Sequence, residues 1–253
     1  MIKSIKEIKD EFLNAPISNI NNLIQLYIND DRKGVQNIII SYKNKLLKYE
    51  KELLRLENMK KYEKEAYLKG KKFVASIDEV GRGPFAGPVV TACVVLPKDF
   101  NILGINDSKK LSEEKRKQLF FKIKENALDI SINMEDNNVI DNINILEATK
   151  KSMLKNIEYL KIKPDYLILD AVSLNIDIPY ISMPKADEKS ISVAAASIIA
   201  KVTRDEYMKE MHNIYPQYNF DINKGYGTKQ HIEALKKYGF CDLHRKTFIK
   251  NYI

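Results

Sequence analysis

The chain has 253 residues, of which 44% are hydrophobic and 30% are charged. This composition is typical of a folded globular protein, and it excludes an intrinsically disordered chain, a collagen-like repeat and a disulfide-stapled miniprotein. At about 100–200 residues per domain, the length allows one large domain or one domain with a smaller appendage. The 42 basic and 34 acidic residues give a formal net charge of +8, which favours a polyanionic partner such as nucleic acid.

The beginning of the sequence, MIKSIKEIKD, mixes three lysines with two acids and contains no apolar signal-peptide core. The longest apolar stretches, 85–97 and 191–200, are shorter than the roughly 18–20 residues that a membrane helix needs. Cys93 and Cys241 lie far apart and are expected to be reduced structural thiols. We therefore expect a cytoplasmic protein with no membrane segment.

Residues 1–70 are predicted to form a small helical extension that precedes a catalytic domain over 71–253. Ile2, Ile5, Ile8 and Phe12 recur at helical spacing, and a longer helical pattern runs from residue 42 to 59. Residues 1–72 hold 16 basic and 10 acidic residues, a net charge of +6. We predict that this extension binds the phosphate backbone of the substrate. The alternative is a lysine-rich helical segment that packs on the catalytic domain and stabilises it.

After residue 72 the sequence alternates between short apolar runs and helical patterns. FVASID, PVVTACVVLP and YLILDA read as buried strands, because they are rich in β-branched residues and are bounded by glycine, proline or charge. Helical patterns cover 112–126, 145–160 and 186–215. This order predicts an α/β domain with a mixed β-sheet flanked by helices.

Carboxylates lie where these predicted elements end or begin. Asp78 and Glu79 end the first strand, Asp170 ends the third, and Asp187 begins the last helix. Each acid alone has a structural explanation: a turn cap, a helix cap, or an ion pair with Arg82. Together they predict an oxygen-rich site for Mg²⁺ or Mn²⁺. Two such ions about 3.5–4 Å apart activate water and stabilise a leaving oxygen in phosphoryl transfer.

Five sequence blocks resemble bacterial ribonuclease HII, in that family's order. They are IDEVGRGPFAGPVV at 77–90, NDSKKLS at 106–112, ILDAV at 168–172, KADEKSISVAAASIIAKVTRD at 185–205 and KGYGTKQHIEAL at 224–235. The resemblance implies an RNase H-like fold and a divalent-metal endonuclease, expected to be a monomer. It also implies cleavage 5′ of ribonucleotides in RNA/DNA hybrids and of single ribonucleotides embedded in duplex DNA, in DNA replication and repair.

The resemblance also assigns roles to individual residues of this sequence. The catalytic, metal-binding acids of the family fall on Asp78, Glu79, Asp170 and Asp187. Substrate-binding positions fall on Gly81, Arg82, Gly83, Lys109 and Tyr226. The chemistry agrees, because glycines allow a backbone to approach a ribose closely, and an aromatic ring between two glycines can stack on a sugar.

Three alternatives remain open at this point. The sister family, ribonuclease HIII, usually has threonine where Arg82 stands and carries a β-rich N-terminal domain. A nuclease of the same fold that acts on DNA junctions and a nucleic-acid-binding protein with an inactive site are the other two. We expect His212 and His231 to lie at the surface or the edge of the core, and we expect His244 with Arg245 to be structural.

Overall fold

The computed structural model describes residues 3–252, so Ile2 of the predicted helical stripe lies outside the described residues. Its contacts divide the chain into two units, one up to Glu57 and one from Asn58 onward. None of the helices in the described part of the chain is long and apolar enough to cross a membrane.

The first unit is built from helices α1 (Ile5–Asn14) and α2 (Ile20–Tyr27) and most of α3 (Lys33–Met59). Ser4 caps α1, because its side chain accepts a hydrogen bond from the Glu7 amide while Glu7 accepts one from the Ser4 amide. The apolar side chains form a separate core, which consists of Ile8, Phe12, Ile20, Ile24, Val35 and Ile39. The helical extension expected from the sequence is therefore present.

The second unit contains one five-stranded sheet. Its strands are β1 (Val74–Val80), β2 (Val89–Val95), β3 (Asp129–Glu135), β4 (Tyr166–Asp170) and β5 (Tyr180–Met183). The spatial order is β3-β2-β1-β4-β5, with antiparallel pairing among β1, β2 and β3 and parallel pairing of β4 with β1 and β5. This is the mixed sheet that the sequence predicts.

Helices cover the sheet. They are α4 (Lys61–Leu68), α5 (Glu113–Asn126), α6 (Asn137–Ile143), α7 (Ile145–Tyr159), α8 (Ala186–Lys189), α9 (Ile191–Ile214), α10 (Phe220–Asn223), α11 (Lys229–Tyr238) and α12 (Lys246–Ile249). Ile77 and Leu169 share a core with Met153 of α7. Because side chains alternate along a strand, Ser76 points to the opposite face, where its hydroxyl lies 2.7 Å from that of Ser192 in α9.

The last predicted helix, 186–215, is interrupted near its start. The chain forms the short helix α8, passes through Ser190 in an extended conformation, and then forms α9. The Ser190 side chain caps α9 by accepting a hydrogen bond from the Val193 amide. The helix-cap explanation for Asp187 is therefore wrong, because Ser190 caps the long helix.

Helix α4 belongs to the second unit, although the sequence places it before a boundary near residue 70. Its Ala66 packs in one cluster with Val74 of β1 and Val193 of α9. The excess positive charge counted over residues 1–72 is also divided between the two units. Residues 1–57 hold 10 basic and 8 acidic residues, net +2, whereas residues 58–72 hold 6 and 2, net +4. Most of the excess charge counted over 1–72 therefore lies in the segment that belongs to the second unit.

Candidate metal centre and substrate loops

The register of two parallel strands brings the first two acids together. Ile77 of β1 pairs with Leu169 of β4, so the next residues, Asp78 and Asp170, lie side by side at the same edge of the sheet. Glu79 follows Asp78 within β1, which continues to Val80 instead of ending at the acids. Ligand sites of α/β sheets form at this carboxyl edge of the strands.

Asp187 reaches the same edge through the break between α8 and α9. Asp170 accepts a hydrogen bond from the Ala186 amide at 2.9 Å, which attaches the start of α8 to the end of β4. Asp187, the next residue, is buried, and it lies close enough to Asp170 for the charge of Asp170 to raise its pKa. The structure thus brings together all four acids that the sequence selected.

The pKa shifts of three of these acids show that the carboxylates lie close enough to influence one another. Burial, followed by the charge of Glu79 and then that of Asp170, raises the pKa of Asp78 well above its ordinary value, although Ser197 partly offsets this by a hydrogen bond. Burial and Asp170 also raise the pKa of Glu79, while Arg82 lowers it. The pKa of Asp187 rises to about 6, because it is buried and lies near Asp107 and Asp170. The folded protein therefore holds these acids at an energetic cost.

Asp107 is a fifth acid of this cluster that the sequence did not reveal. It is buried, shares a hydrogen bond with Asp187, and accepts one from the Lys109 amide at 2.9 Å. It precedes a 3-10 turn at Ser108–Lys110, whose Ser108 hydroxyl lies 2.9 Å from that of Ser197. An acid before a turn is typical of a capping residue, so its pattern carries no signal for a site.

Two cationic side chains stand at the rim of the cluster. Arg82 lies 3.4 Å from Glu79 Oε1, and Lys109 is exposed. Partial burial tends to lower the pKa of Lys109, but the carboxylates of the cluster, Asp107 and Asp187 foremost, raise it overall. Lys109 therefore stays charged beside the acids.

The donor set fits a hard divalent cation. All candidate ligands are carboxylate oxygens, and the buried Glu79 Oε2 has no hydrogen-bond partner within residues 3–252. In that same part of the chain, no three His, Cys, Asp or Glu side chains are already gathered closely enough to hold a metal ion. An ion would therefore draw the carboxylates together while it neutralises their repulsion.

The predicted substrate residues lie on two loops that contact each other. Gly81, Arg82 and Gly83 follow β1, and Tyr226 lies between α10 and α11. The Gly225 carbonyl accepts hydrogen bonds from the Phe85 and Ala86 amides at 2.8 and 3.2 Å. This contact brings the glycine motif and Tyr226 to neighbouring positions.

Two buried arginines bind the backbone of these loops: Arg245 binds the loop after β1, and Arg204 bridges that loop and the Tyr226 loop. Arg245 donates to the carbonyls of Gly81, Arg82 and Gly87 at 2.6–3.0 Å. Arg204 of α9 donates to those of Ala86, Pro88 and Lys224 at 2.8–3.1 Å. The Arg204 guanidinium also lies 5.9 Å from the Tyr226 ring centroid, within cation–π range. Sequence reasoning missed Arg204, because only the folded backbone shows which carbonyls it serves.

Two buried histidines are hydrogen-bonded to each other, and one of them is bonded to the backbone of the Tyr226 loop. His231 and His244 are fully buried, so the expectation that His231 lies at the surface or the edge of the core is wrong. The bonds are satisfied when His231 Nδ1 donates to the Tyr226 carbonyl, His244 Nε2 donates to His231 Nε2, and His244 Nδ1 accepts from the Cys241 amide. Burial lowers the pKa of both rings, that of His244 to about 4 with the help of His231, which keeps them neutral. His212 lies outside this pair, and its Nδ1 is 3.1 Å from Asp221 Oδ1.

Backbone strain accompanies the candidate site. Three non-glycine residues with left-handed backbone lie next to it: Ala171 (φ +47°), Lys185 (φ +57°) and Lys224 (φ +52°). Each lies within two residues of Asp170, Asp187 or Tyr226. Such conformations cost about 1–3 kcal/mol each and cluster at functional sites.

Comparison with known proteins identifies the family. The model of the family "Ribonuclease HII" matches residues 75–251, and that of the "Ribonuclease HII N-terminal domain" matches residues 4–67. The chain belongs to the ribonuclease HII family. The resemblance noted in the sequence is thereby confirmed, and the chain is a ribonuclease H, an enzyme that cleaves RNA in RNA/DNA hybrids.

Relatives of known sequence and structure agree with this assignment to the ribonuclease HII family. The chain is 49% identical to ribonuclease HII of Clostridioides difficile, over 99% of both chains. It is 54% identical to that of Acetivibrio thermocellus, over 87% of this chain and 86% of the relative. The crystal structure of ribonuclease H2 from Pyrococcus horikoshii matches with a TM-score of 0.62 and 29% identity, over 72% of this chain and 97% of the other. The RNase H-like fold is confirmed.

Replacing Asp78 by Asn should stabilise the metal-free protein. The pKa of Asp78 is raised above its ordinary 3.8, so the folded state binds this proton more tightly than the unfolded state. The cost of ionising it grows as the pH rises above that value and is largest at alkaline pH. At pH 8 we expect the melting temperature of Asp78→Asn to exceed wild type by about 2–4 °C, and we expect the gap to shrink as the pH is lowered toward 4.

The measurement is thermal unfolding after exhaustive dialysis against EDTA. Asp177→Asn, at an exposed position, is the matched control and should leave the melting temperature unchanged. An Asp78→Asn protein that melts at or below the wild-type temperature at pH 8 would show that the ionised Asp78 carboxylate does not destabilise the metal-free fold.

The single variants Gly81→Ala and Gly83→Ala should distinguish an effect on stability from an effect on substrate recognition. Gly81 has φ +90°, and an added Cβ would lie 2.2 Å from Arg204 Nε, so Gly81→Ala should cost about 1–3 kcal/mol of unfolding free energy. Among the described residues other than its chain neighbours, none places a heavy atom within 4 Å of such a Cβ at Gly83, so Gly83→Ala should leave stability within about 0.5 kcal/mol of wild type. If its bare backbone must approach a ribose, Gly83→Ala still lowers kcat/KM on an RNA/DNA hybrid, by about tenfold. Unchanged kcat/KM would remove Gly83 from the substrate site.

Proposed function

We propose that this ribonuclease H is a divalent-metal-dependent endonuclease. In this proposal it hydrolyses the phosphodiester on the 5′ side of a ribonucleotide and leaves a 5′-phosphate. Its substrates are RNA/DNA hybrids and duplex DNA with a single embedded ribonucleotide. The observation that carries the proposal is the position of the acid cluster, whose Asp78 and Glu79 directly precede the loop of Gly81–Gly83. Arg245 binds the carbonyls of this loop, and Arg204 joins the segment that follows it to the Tyr226 loop.

The four acids Asp78, Glu79, Asp170 and Asp187 would hold Mg²⁺ or Mn²⁺, two ions in the catalytic state. When bound, these ions supply activation of water and stabilisation of the leaving oxygen. The protein's own part is to hold the carboxylates adjacent and poorly solvated, so that a bound cation would relieve the cost of ionising them. Arg82 neutralises only one oxygen of Glu79, which leaves the buried Oε2 for a ligand.

Lys109 and Arg82 would bind phosphate next to the acids. Both are exposed and lie beside the cluster, so each can contact an incoming phosphate without first leaving a buried position. Such contacts fix the register of the duplex and carry no sequence information.

Ribose selection would come from the glycine loop and Tyr226. The 2′-hydroxyl is what distinguishes RNA from DNA, and backbone groups at Gly81–Gly83 can approach it closely. Tyr226 is 42% exposed, and Arg204 supports one side of its ring, so the ring is presented and held for stacking on the adjacent sugar. Removal of ribonucleotides during DNA replication and repair in the cytoplasm is the role that this selectivity serves.

Backbone binding by the N-terminal extension remains a prediction. The net charge of +2 over residues 1–57 supports it less strongly than the +6 counted over 1–72, because the lysines of 58–72 belong to the second unit. The salt dependence of hybrid binding, compared between the full chain and a chain lacking residues 1–57, tests it: a shallower slope in the shortened chain supports binding, and an equal slope contradicts it.

Cleavage of a DNA duplex with one labelled ribonucleotide tests the proposal. In Mg²⁺ or Mn²⁺ we expect a single cut on the 5′ side of the ribonucleotide, and no cut in an all-DNA duplex or a DNA junction. Asp170→Asn should lower kcat more than about 100-fold, because a charged ligand is lost while the side chain keeps its size. Tyr226→Phe, which keeps the ring, is the control for Tyr226→Ala, which should lose cleavage more than binding.

Three outcomes would contradict the proposal. Full activity in EDTA would exclude the metal requirement. Equal cleavage of an all-DNA junction would indicate a nuclease without ribose selection. Tight hybrid binding with no cleavage under any divalent ion would indicate a binding protein with an inactive site.

A further inference from the structure

A buried carboxylate outside the acid cluster has no role in the proposed chemistry. Glu63 of α4 is only 7% exposed. Its Oε1 accepts hydrogen bonds from the Ser190 hydroxyl at 2.5 Å, from the Ser192 amide at 3.1 Å and from the Ser192 hydroxyl. Its buried Oε2 has no hydrogen-bond partner within residues 3–252. Burying a carboxylate with one oxygen unbonded is costly, so a purely structural contact would be better served by a neutral side chain.

The serines that Glu63 binds lie at the start of α9. Ser190 is the N-cap residue, and Ser192 lies in the first turn. A carboxylate at this end is favoured by the helix dipole and satisfies an amide that has no partner within the helix. Glu63 therefore fixes the position of the N-terminus of α9 from a different element of the chain.

The junction between α8 and α9 is connected to the acid cluster in two ways. Ser190 follows Asp187 by three residues, and its amide donates to the Ala186 carbonyl at 2.8 Å. The Ser192 hydroxyl lies 2.7 Å from that of Ser76 in β1. Ser76 precedes Asp78 by two residues and points to the same face of the sheet. A shift of the junction would move Asp187 directly and Asp78 through the serine pair.

We infer that Glu63 is a positioning residue for the carboxylate cluster. It holds the junction between α8 and α9 so that Asp187 and Asp78 keep the separation that the reaction needs. This inference rests on the proposed metal-dependent function. It also links the N-terminal segment to the reaction, because Glu63 lies within the region matched by the N-terminal family model, residues 4–67, and outside the catalytic one.

Kinetics of Glu63 variants in the full-length chain test the inference. Glu63→Ala removes the acceptor, whereas Glu63→Gln keeps an oxygen and nearly the same shape. We expect Glu63→Ala to lower kcat on an RNA/DNA hybrid by about tenfold or more with KM within about twofold, since small misplacements of catalytic groups are costly. Glu63→Gln should restore most of kcat. Glu65→Ala, on the exposed side of the same helix, is the matched control and should match wild type.

A purely structural role predicts a different pattern. In that case Glu63→Ala lowers the melting temperature, but kcat per folded molecule, measured well below that temperature, stays at the wild-type value. This result would overturn the inference. If Glu63→Ala does not fold, Ser192→Ala takes its place, because it removes the hydroxyl contacts to both Glu63 and Ser76 without leaving a new buried charge. Unchanged kcat in a folded Ser192→Ala protein would likewise overturn it.

A second readout does not depend on activity. Amide hydrogen exchange at Ser192 and Val193 should be faster in metal-free Glu63→Ala than in Glu65→Ala, and Mn²⁺ measured by calorimetry should bind more weakly to Glu63→Ala. If wild type cleaves no hybrid but these differences appear, the proposed function fails and the positioning role stands. If wild type cleaves while exchange, Mn²⁺ affinity and kcat are all unchanged in Glu63→Ala, the positioning role alone fails.

Discussion

Mutual repulsion among carboxylates at one edge of a β-sheet is the constraint on which the rest of this structure depends. Asp78 and Asp170 are neighbours because β1 and β4 pair in parallel, and Asp187 is brought to them by the attachment of α8 to the end of β4. Burial, and then the charges of Glu79 and Asp170, raise the pKa of Asp78. The fold holds these acids close and poorly solvated, which is the condition under which a divalent cation binds strongly.

Hydrogen bonds around the cluster hold the surrounding elements in place despite this repulsion. Ser197 of α9 bonds both Asp78 and Ser108, so one hydroxyl joins the sheet to the turn that carries Lys109. Glu63 does the equivalent at the beginning of the same helix, through Ser192. Helix α9 thus contacts Asp78 through Ser197 and its same-face neighbour in β1, Ser76, through Ser192, and the beginning of α9 is bound by a helix from outside the catalytic family region.

The loops that carry Gly81–Gly83 and Tyr226 are held in place by buried, positively charged side chains. Arg204 and Arg245 are buried and direct their donors at backbone carbonyls, which fixes these irregular loops, and Arg204 also lies against the Tyr226 ring. Burial lowers the pKa of Arg204 to about 10 and that of Arg245 to about 9, with Arg204 contributing to the latter, yet both remain charged near neutral pH. Gly81 passes close enough to Arg204 that no side chain fits there.

Features of the fold and of the candidate site that depend on a local sequence pattern could be predicted from the sequence. The acids at 78 and 170 stand out because they end apolar strands. Sequence reasoning misses features that depend on long-range contacts. Strand β3 at the sheet edge has mixed exposure and no continuous apolar run. The burial of His231 and the roles of Arg204 and Glu63 depend on segments distant in sequence, which no local spacing reveals.

Anomalous diffraction from crystals soaked in Mn²⁺ tests the central claim most directly, because it locates the ion without any assumption about the reaction. The account predicts anomalous density bounded by the carboxylates of Asp78, Glu79, Asp170 and Asp187, and its loss in Asp78→Asn. Strong density elsewhere in the second unit, with these carboxylates unliganded, would contradict it.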